Sequence, residues 1–340
     1  MATSVQMKHV FAVCAVMLLT CAYQAMSRTL YESSSAEAFQ DWTSQHRREY
    51  VDDAEKERRF KIFAENLEYI EKFNNGGKKS YKLGLNPFSD LTEEEFIASH
   101  TGLKLNSSQP RSSSATYLSV DDDNIPPSMD WRERGAVTDV KDQGQCGSCW
   151  AFSTVAAVEG IVQIKTKKLI PLSEQQLVDC DNDNKGCDGG FMDNAFNYIK
   201  ENEGISSESD YHYQGFAGTC QSAQPAVQIS GYKDVPENSE EQLLLAVAQQ
   251  PVSVVVAINQ NFQSYESDVF EGPCGTELNH AVTIIGYDTT DDGKKYWLIK
   301  NSWGESWGEN GYMKLLRESG EPEGVCGVAM KASYPTLDLN

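Results

Sequence analysis

A chain of 340 residues, 40% of them hydrophobic, is long enough to bury a sizeable core and to form two domains. Its formal net charge of −21 and pI near 4.6 exclude nucleic acid and anionic membrane surfaces as natural partners. Roughly −17 of that charge falls within residues 125–340, so the acidity belongs to the C-terminal part and reads as solubility.

The chain opens on Lys8 and His9, then an apolar run from Val10 to Leu19. Ala25 and Ser27 place small residues three and one positions before Arg28. The run is too short to span a membrane and fits a secretory signal over residues 1–27. No other apolar stretch reaches spanning length, so a soluble product without a membrane span is expected, in a vacuole-like compartment or outside the cell.

Residues 28–105 read as a small helical unit. Residues 36–46 and 53–73 are charged, amphipathic and free of Gly and Pro. Along the second helix, Glu55, Arg59, Phe63, Asn66, Ile70 and Asn74 recur at spacings of three and four, on one face. Gly76-Gly77 stops that helix. Tyr81 to Asp90 reads as an extended segment, and Thr92 with Glu95 as a capping box. Residues 106–124 are rich in Ser, Asn and Asp, a flexible linker suited to proteolytic cutting. Asn106-Ser-Ser within it is a glycosylation sequon.

From Ile125 the composition becomes globular. Helices are expected from Trp150 to Lys165, after Ser173 (with Gln176 three on), and from Phe191 to Glu201. Strands are expected over 251–258, 281–287, 295–300 and 311–317, where β-branched and aromatic residues dominate. Helices followed by strands point to a two-lobed α+β body with a cleft between the lobes.

The chemistry centres on Gln143-Gly-Gln-Cys146-Gly-Ser-Cys149-Trp150. Cys149 stands at the start of an apolar helix, whose N-terminal partial charge favours a thiolate, the nucleophilic form. Gln143 can bring a side-chain amide to the oxyanion that a thiolate attack creates. Two histidines follow Cys149. His212 lies in a polar aromatic loop and reads as a surface residue. His280 begins one expected strand and Asn301 ends the next, so an antiparallel hairpin sets them side by side. A thiolate–imidazolium pair of Cys149 and His280, oriented by Asn301 and shielded by Trp303, is a complete nucleophilic set. A redox pair of Cys146 and Cys149 is disfavoured because no β-branched strand runs into the motif. A zinc site from Cys146, Cys149, Cys180 and Cys187 is disfavoured because an oxidising lumen converts such thiols to disulfides. No metal or cofactor is expected.

Of nine cysteines, Cys14 and Cys21 leave with the signal and seven remain. The odd count leaves at least one thiol free. If Cys149 is that thiol, the other six admit 15 pairings, and spacing does not choose among them.

The segment Cys146-Gly-Ser-Cys149-Trp150 resembles the signature of papain and the cathepsins, with His280 and Asn301 lying 131 and 152 residues downstream. The six-residue face of the second helix, with Gly84, Asn86, Phe88 and Asp90, resembles the pro-region of the cathepsin L-like branch in its plant form. The resemblance covers nearly all of residues 36–335. It implies a cysteine endopeptidase acting through a thioacyl-enzyme on protein or peptide substrates. It implies a papain-like fold, a helical lobe and an antiparallel β-barrel lobe preceded by a helical propeptide. The propeptide, residues 28–124, would lie backwards over the cleft as an intramolecular inhibitor until acid converts the zymogen, and the mature enzyme would be residues 125–340. Disulfides Cys146–Cys187, Cys180–Cys220 and Cys274–Cys326 are implied. So is a backbone-pairing wall at Gly189 and Gly190, and a specificity pocket walled by Phe191, Met192, Val255, Leu278 and Ala281. Cystatin-type inhibitors as partners and a monomeric state are implied likewise. Asn279 departs from papain's aspartate before the histidine. Lys331 falls at the pocket floor, either accepting acidic side chains there or turning its ammonium to solvent. The same acyl-enzyme would also serve a ligase, and a catalytically silent storage protein would need a broken nucleophile.

Overall fold

The computed structural model describes residues 33–77, 79–104, 118 and 125–338. The expected signal, most of the linker and the sequon Asn106 lie outside the described residues. The chain divides into two compact units, residues 1–72 with 89–91, and residues 73–88 with 92–340.

The smaller unit is built on α1, residues 33–45, and on residues 53–72 of α2, Asp53–Asn75. Phe39, Trp42 and Phe63 form its core. The patterned face of α2 does two jobs. Phe63, Asn66 and Ile70 are buried. Arg59 bonds Glu55 at 2.7 Å and the Asp90 carbonyl at 2.9 Å, and Asn66 donates to the carbonyls of Ser89 and Leu91. The motif thus partly serves to satisfy backbone carbonyls of the turn at residues 89–91.

The larger unit begins at the end of α2. Asn74 closes two bonds with the backbone of Leu83, in β1, Tyr81–Leu83. Then α3, Glu93–His100, opens on the expected capping box of Thr92 and Glu95. The helical lobe follows. Its centre is α4, Cys149–Thr166, apolar on every face and buried accordingly. Helix α5, Glu174–Cys180, starts at Ser173, whose hydroxyl accepts from the Gln176 N–H. The reciprocal half of that box is absent, because the Gln176 side chain turns to Ser206 instead. Helix α6 spans Met192–Glu201.

The strands are β2 (Met129–Asp130), β3 (Gly231–Asp234), β4 (Val252–Val256), β5 (Tyr265–Phe270), β6 (His280–Thr289), β7 (Lys295–Lys300), β8 (Tyr312–Leu316) and β9 (Ala332–Thr336). With β1 they form one nine-stranded sheet in the order β1-β5-β8-β7-β6-β4-β9-β3, and β2 pairs with β6. All pairs are antiparallel except β5 and β8, which run parallel, so the expected antiparallel layer has one exception. Glycine is required at Gly286, where a Cβ would lie 2.1 Å from the Met129 carbonyl as β2 crosses β6. Two helices lie in the half read as strands, α7 (Glu240–Val247) and the single-turn α8 (Gln260–Gln263). Both are capped by a side chain, Ser239 and Asn259.

Candidate active site

Cys149 is the first residue of α4 and the free cysteine among the described residues, fully buried. Cys146 is bonded to Cys187, Cys180 to Cys220 and Cys274 to Cys326. Burial pushes the Cys149 thiol up to about 11, although N–H groups of Ala281, Trp150 and Gly102 face the sulfur and favour its anion.

His280 opens β6 and Asn301 follows the last residue of β7. The two strands are antiparallel neighbours, and this brings the side chains together. Asn301 Oδ1 lies 2.8 Å from His280 Nε2 and also accepts from the Ser302 N–H. An amide oxygen can only accept, so Nε2 carries the proton. Nδ1 is buried without a hydrogen-bond partner among the described residues. Trp303 stacks on the imidazole, 4.5 Å between centroids and 24° between planes, and is itself buried. Burial lowers the His280 pKa to about 4; the Asn301 bond opposes this and His100 adds to it. Burial thus disfavours the charged form of each of the two groups here. The Ala281 N–H at the sulfur brings the start of β6 to the thiol.

Gln143 is completely buried. Its Oε1 accepts from Ser302 Oγ at 2.6 Å, which fixes the amide plane. One Nε2 hydrogen goes to the Cys146 carbonyl at 2.9 Å and the other to the carbonyl of His100 at 3.2 Å. That carbonyl also accepts from Trp303 Nε1. The residues after α3 continue across the site. Gly102 lies on Gly147 so closely that a Cβ would meet its carbonyl oxygen at 1.9 Å. Gly190 N–H donates to the Gly102 carbonyl and Lys104 N–H to the Gly190 carbonyl, a parallel bridge centred on Leu103. The backbone of Gly190 thus pairs with the segment around Leu103, and Gly189 adjoins it with φ +111°.

Met192, Val255 and Ala281 belong to one buried apolar cluster, with Phe191, Leu278 and Leu103 packed against it. Lys331 carries an ion pair to Glu237. Asn279 binds the backbone of Ile258 through its side chain. His212 is exposed, in keeping with a surface role.

Three features were missed in the sequence. His100, Gly102 and Leu103 cover the site, and only their position between a capped helix and a linker hinted at it. Tyr213 reaches beneath the Cys149 turn from 70 residues away in the chain. Lys141 pairs with both Glu159 and Glu174, carboxylates almost wholly buried, beside Lys300 on Thr138. None of these forms a local pattern. Among the described residues no group of His, Cys, Asp and Glu could hold a metal ion, and no helix is long and apolar enough to cross a membrane.

Comparison with known proteins agrees with this geometry. Residues 125–336 match the papain family cysteine protease model, and residues 39–96 match the cathepsin propeptide inhibitor domain. The cysteine endopeptidase RepA of Oryza sativa subsp. japonica is 53% identical over 84% of this chain and 79% of its own. Vignain of Ricinus communis is 53% identical over 83% of this chain and 80% of its own. Among solved structures, a recombinant stem bromelain precursor superposes with a TM-score of 0.84 at 46% identity, covering 90% of this chain and all of that one. The proform of the ragweed pollen allergen Amb a 11, a cysteine protease, gives 0.84 at 42% identity, covering 91% and 96%.

Proposed function

The chain belongs to the papain-family cysteine proteases and is an endopeptidase made as a zymogen; from that premise we propose that Cys149 is its nucleophile and His280 its general base and acid. In the uncovered enzyme the helix end and the imidazolium stabilise the thiolate. The sulfur adds to the peptide carbonyl carbon, and the carbonyl π electrons move to oxygen. The oxyanion takes N–H bonds from Gln143 Nε2 and the Cys149 backbone, each such donor worth about 3 kcal/mol. The intermediate collapses, the C–N bond breaks, and His280 gives its proton to the leaving amine. His280 then removes a proton from water, which attacks the thioester and releases acid and thiolate. Asn301 keeps the imidazole oriented throughout, and Trp303 keeps water from that bond. The observation that carries this reading is the imidazole fixed through Nε2 on Asn301, with Nδ1 unpartnered, next in the chain to Ala281, whose N–H faces the free Cys149.

The same residues explain why the precursor is silent. The His100 carbonyl takes the Gln143 N–H that an oxyanion would use. An N–H of Gly102 faces the sulfur where a substrate would sit. Burial holds both reacting groups neutral. Cutting within residues 106–124, with a mature start near Ile125, removes all three restraints. Leu103 against the apolar cluster favours substrates with a hydrophobic side chain two residues before the cut, in the pocket of Phe191, Met192, Val255, Leu278 and Ala281. The ion pair to Glu237 favours a Lys331 turned outward over one that accepts acidic side chains. The reading extends to a secretory route ending in a vacuole or outside the cell, to a monomer, and to cystatin-type inhibitors as partners. The test is to acid-treat the precursor and titrate it with a thiol-directed epoxide. Wild type gains peptidase activity and loses it at one equivalent, and Cys149→Ala gains none; activity in Cys149→Ala refutes the assignment.

A further inference from the structure

We propose that Tyr213 is a positioning residue for oxyanion binding, acting as a brace across the turn that carries both donors. The proposal rests on the assignment of Gln143 and the Cys149 N–H as those donors.

The turn runs from Gln143 to Ser148 and delivers Cys149 to the start of α4. Its two ends must hold their separation, because one end supplies a side-chain donor and the other a backbone donor to a single oxygen. The Tyr213 hydroxyl lies 2.8 Å from the Gln143 carbonyl and 2.8 Å from Ser148 Oγ. A phenol has one proton, and a carbonyl can only accept, so Tyr213 donates to Gln143. Ser148 then donates to the phenol oxygen, since its other acceptor, the Cys146 carbonyl, is farther at 3.4 Å. One oxygen atom therefore ties both ends of the turn.

Tyr213 is itself fixed. Its ring stands edge-on to Phe152, 4.9 Å between centroids at 82°, one helical turn beyond Cys149. Its backbone N–H donates to Glu208. Burial raises the phenol pKa far above any working pH, so the donor stays protonated. The rest of Gln143 has other restraints: its N–H goes to the Ser302 carbonyl and its Oε1 accepts from Ser302 Oγ. The hydroxyl of Tyr213 is what holds its carbonyl, and so the plane of the Gln143–Gly144 peptide. Reactive geometries tolerate displacements of roughly half an ångström, so a loosened turn lowers the rate without emptying the cleft.

The experiment compares mature wild type, Tyr213→Phe, Ser148→Ala, the double variant and Gln143→Ala, each normalised by active-site titration. Tyr213→Phe keeps the ring and loses only the brace. Its kcat on a peptide amide is expected to fall about tenfold at unchanged KM, a fraction of the hundredfold or more for a whole donor. Affinity for a peptide aldehyde, whose adduct carries an oxyanion, is expected to weaken by the same factor. The rate of alkylation by a thiol-directed epoxide, which forms no oxyanion on a carbonyl, should change less than twofold. The double variant should be no slower than Tyr213→Phe, because both break one linkage. A wild-type kcat in Tyr213→Phe, with Gln143→Ala impaired, overturns the brace alone. Alkylation falling in step with kcat also overturns it, since the nucleophile would then be displaced. Full activity in Gln143→Ala overturns the oxyanion assignment beneath it.

Discussion

Gly102→Ala should turn the silent precursor into a leaking one. The new Cβ would stand 1.9 Å from the Gly147 carbonyl oxygen, against an ordinary contact of at least 3.4 Å. The nearest atoms are backbone, so the covering segment must retreat by about 1.5 Å, the difference of those two distances. That retreat breaks three bonds: Gly190 N–H to Gly102 at 2.8 Å, Lys104 N–H to Gly190 at 2.9 Å, and Leu103 N–H to Asn279 at 3.3 Å. At a net 0.5–1.5 kcal/mol each, the closed state loses about 1.5–4.5 kcal/mol. The open fraction then rises by about tenfold to a thousandfold. The assay is epoxide alkylation of Cys149 in the precursor at neutral pH, read by mass spectrometry. The same preparation, after acid conversion, should hydrolyse peptides at the wild-type rate, because Gly102 leaves with the pro-segment. A Gly102→Ala precursor that alkylates no faster than wild type, at unchanged melting temperature, refutes the argument from close approach.

Acid should open the precursor through His280. Its pKa is lowered from 6.5 to about 4 while the site is covered, so the uncovered form binds a proton first as pH falls. The closure that His280 supports is complete above 6.5 and lost between 6.5 and about 4, so alkylation of Cys149 in the wild-type precursor should accelerate across that window and not between pH 7 and 8. Asn301→Ala should lower kcat about ten- to a hundredfold, the cost of a bond to a charged imidazolium, with KM little changed; equal kcat refutes its role. Lys141→Met leaves Glu159 and Glu174 buried without their cation. It should cost about 3–5 kcal/mol in denaturant unfolding of the mature enzyme at neutral pH, and less in acid, where the Glu174 carboxyl, raised by burial, protonates. A loss below 1 kcal/mol at neutral pH would show the pair to be dispensable.

Local signals carried much of this molecule. Thr92 with Glu95, and Ser173 with Gln176, announced helix starts because capping needs only neighbours three residues apart. His280 and Asn301 could be paired because a hairpin turns sequence distance into contact. The parallel pairing of β5 with β8 was not legible, since neither strand marks its partner. Helix α7 was overlooked although Ser239 caps it at Gln242, because the valine-rich strand after it drew the whole region toward β. The brace at Tyr213 and the Lys141 cluster depend on contacts that only the finished packing creates.

The Gly190 wall grips its guest through main-chain bonds, and every polypeptide carries that same repeating scaffold. On the proposed reading, discrimination falls to one greasy socket, which reads a single letter of any sequence threaded through. So permissive a blade would cut most loosened proteins it met, its maker's among them. On that reading the sheath formed by Gly102 and Leu103 protects the cell during manufacture, and shedding it late makes such broad appetite survivable.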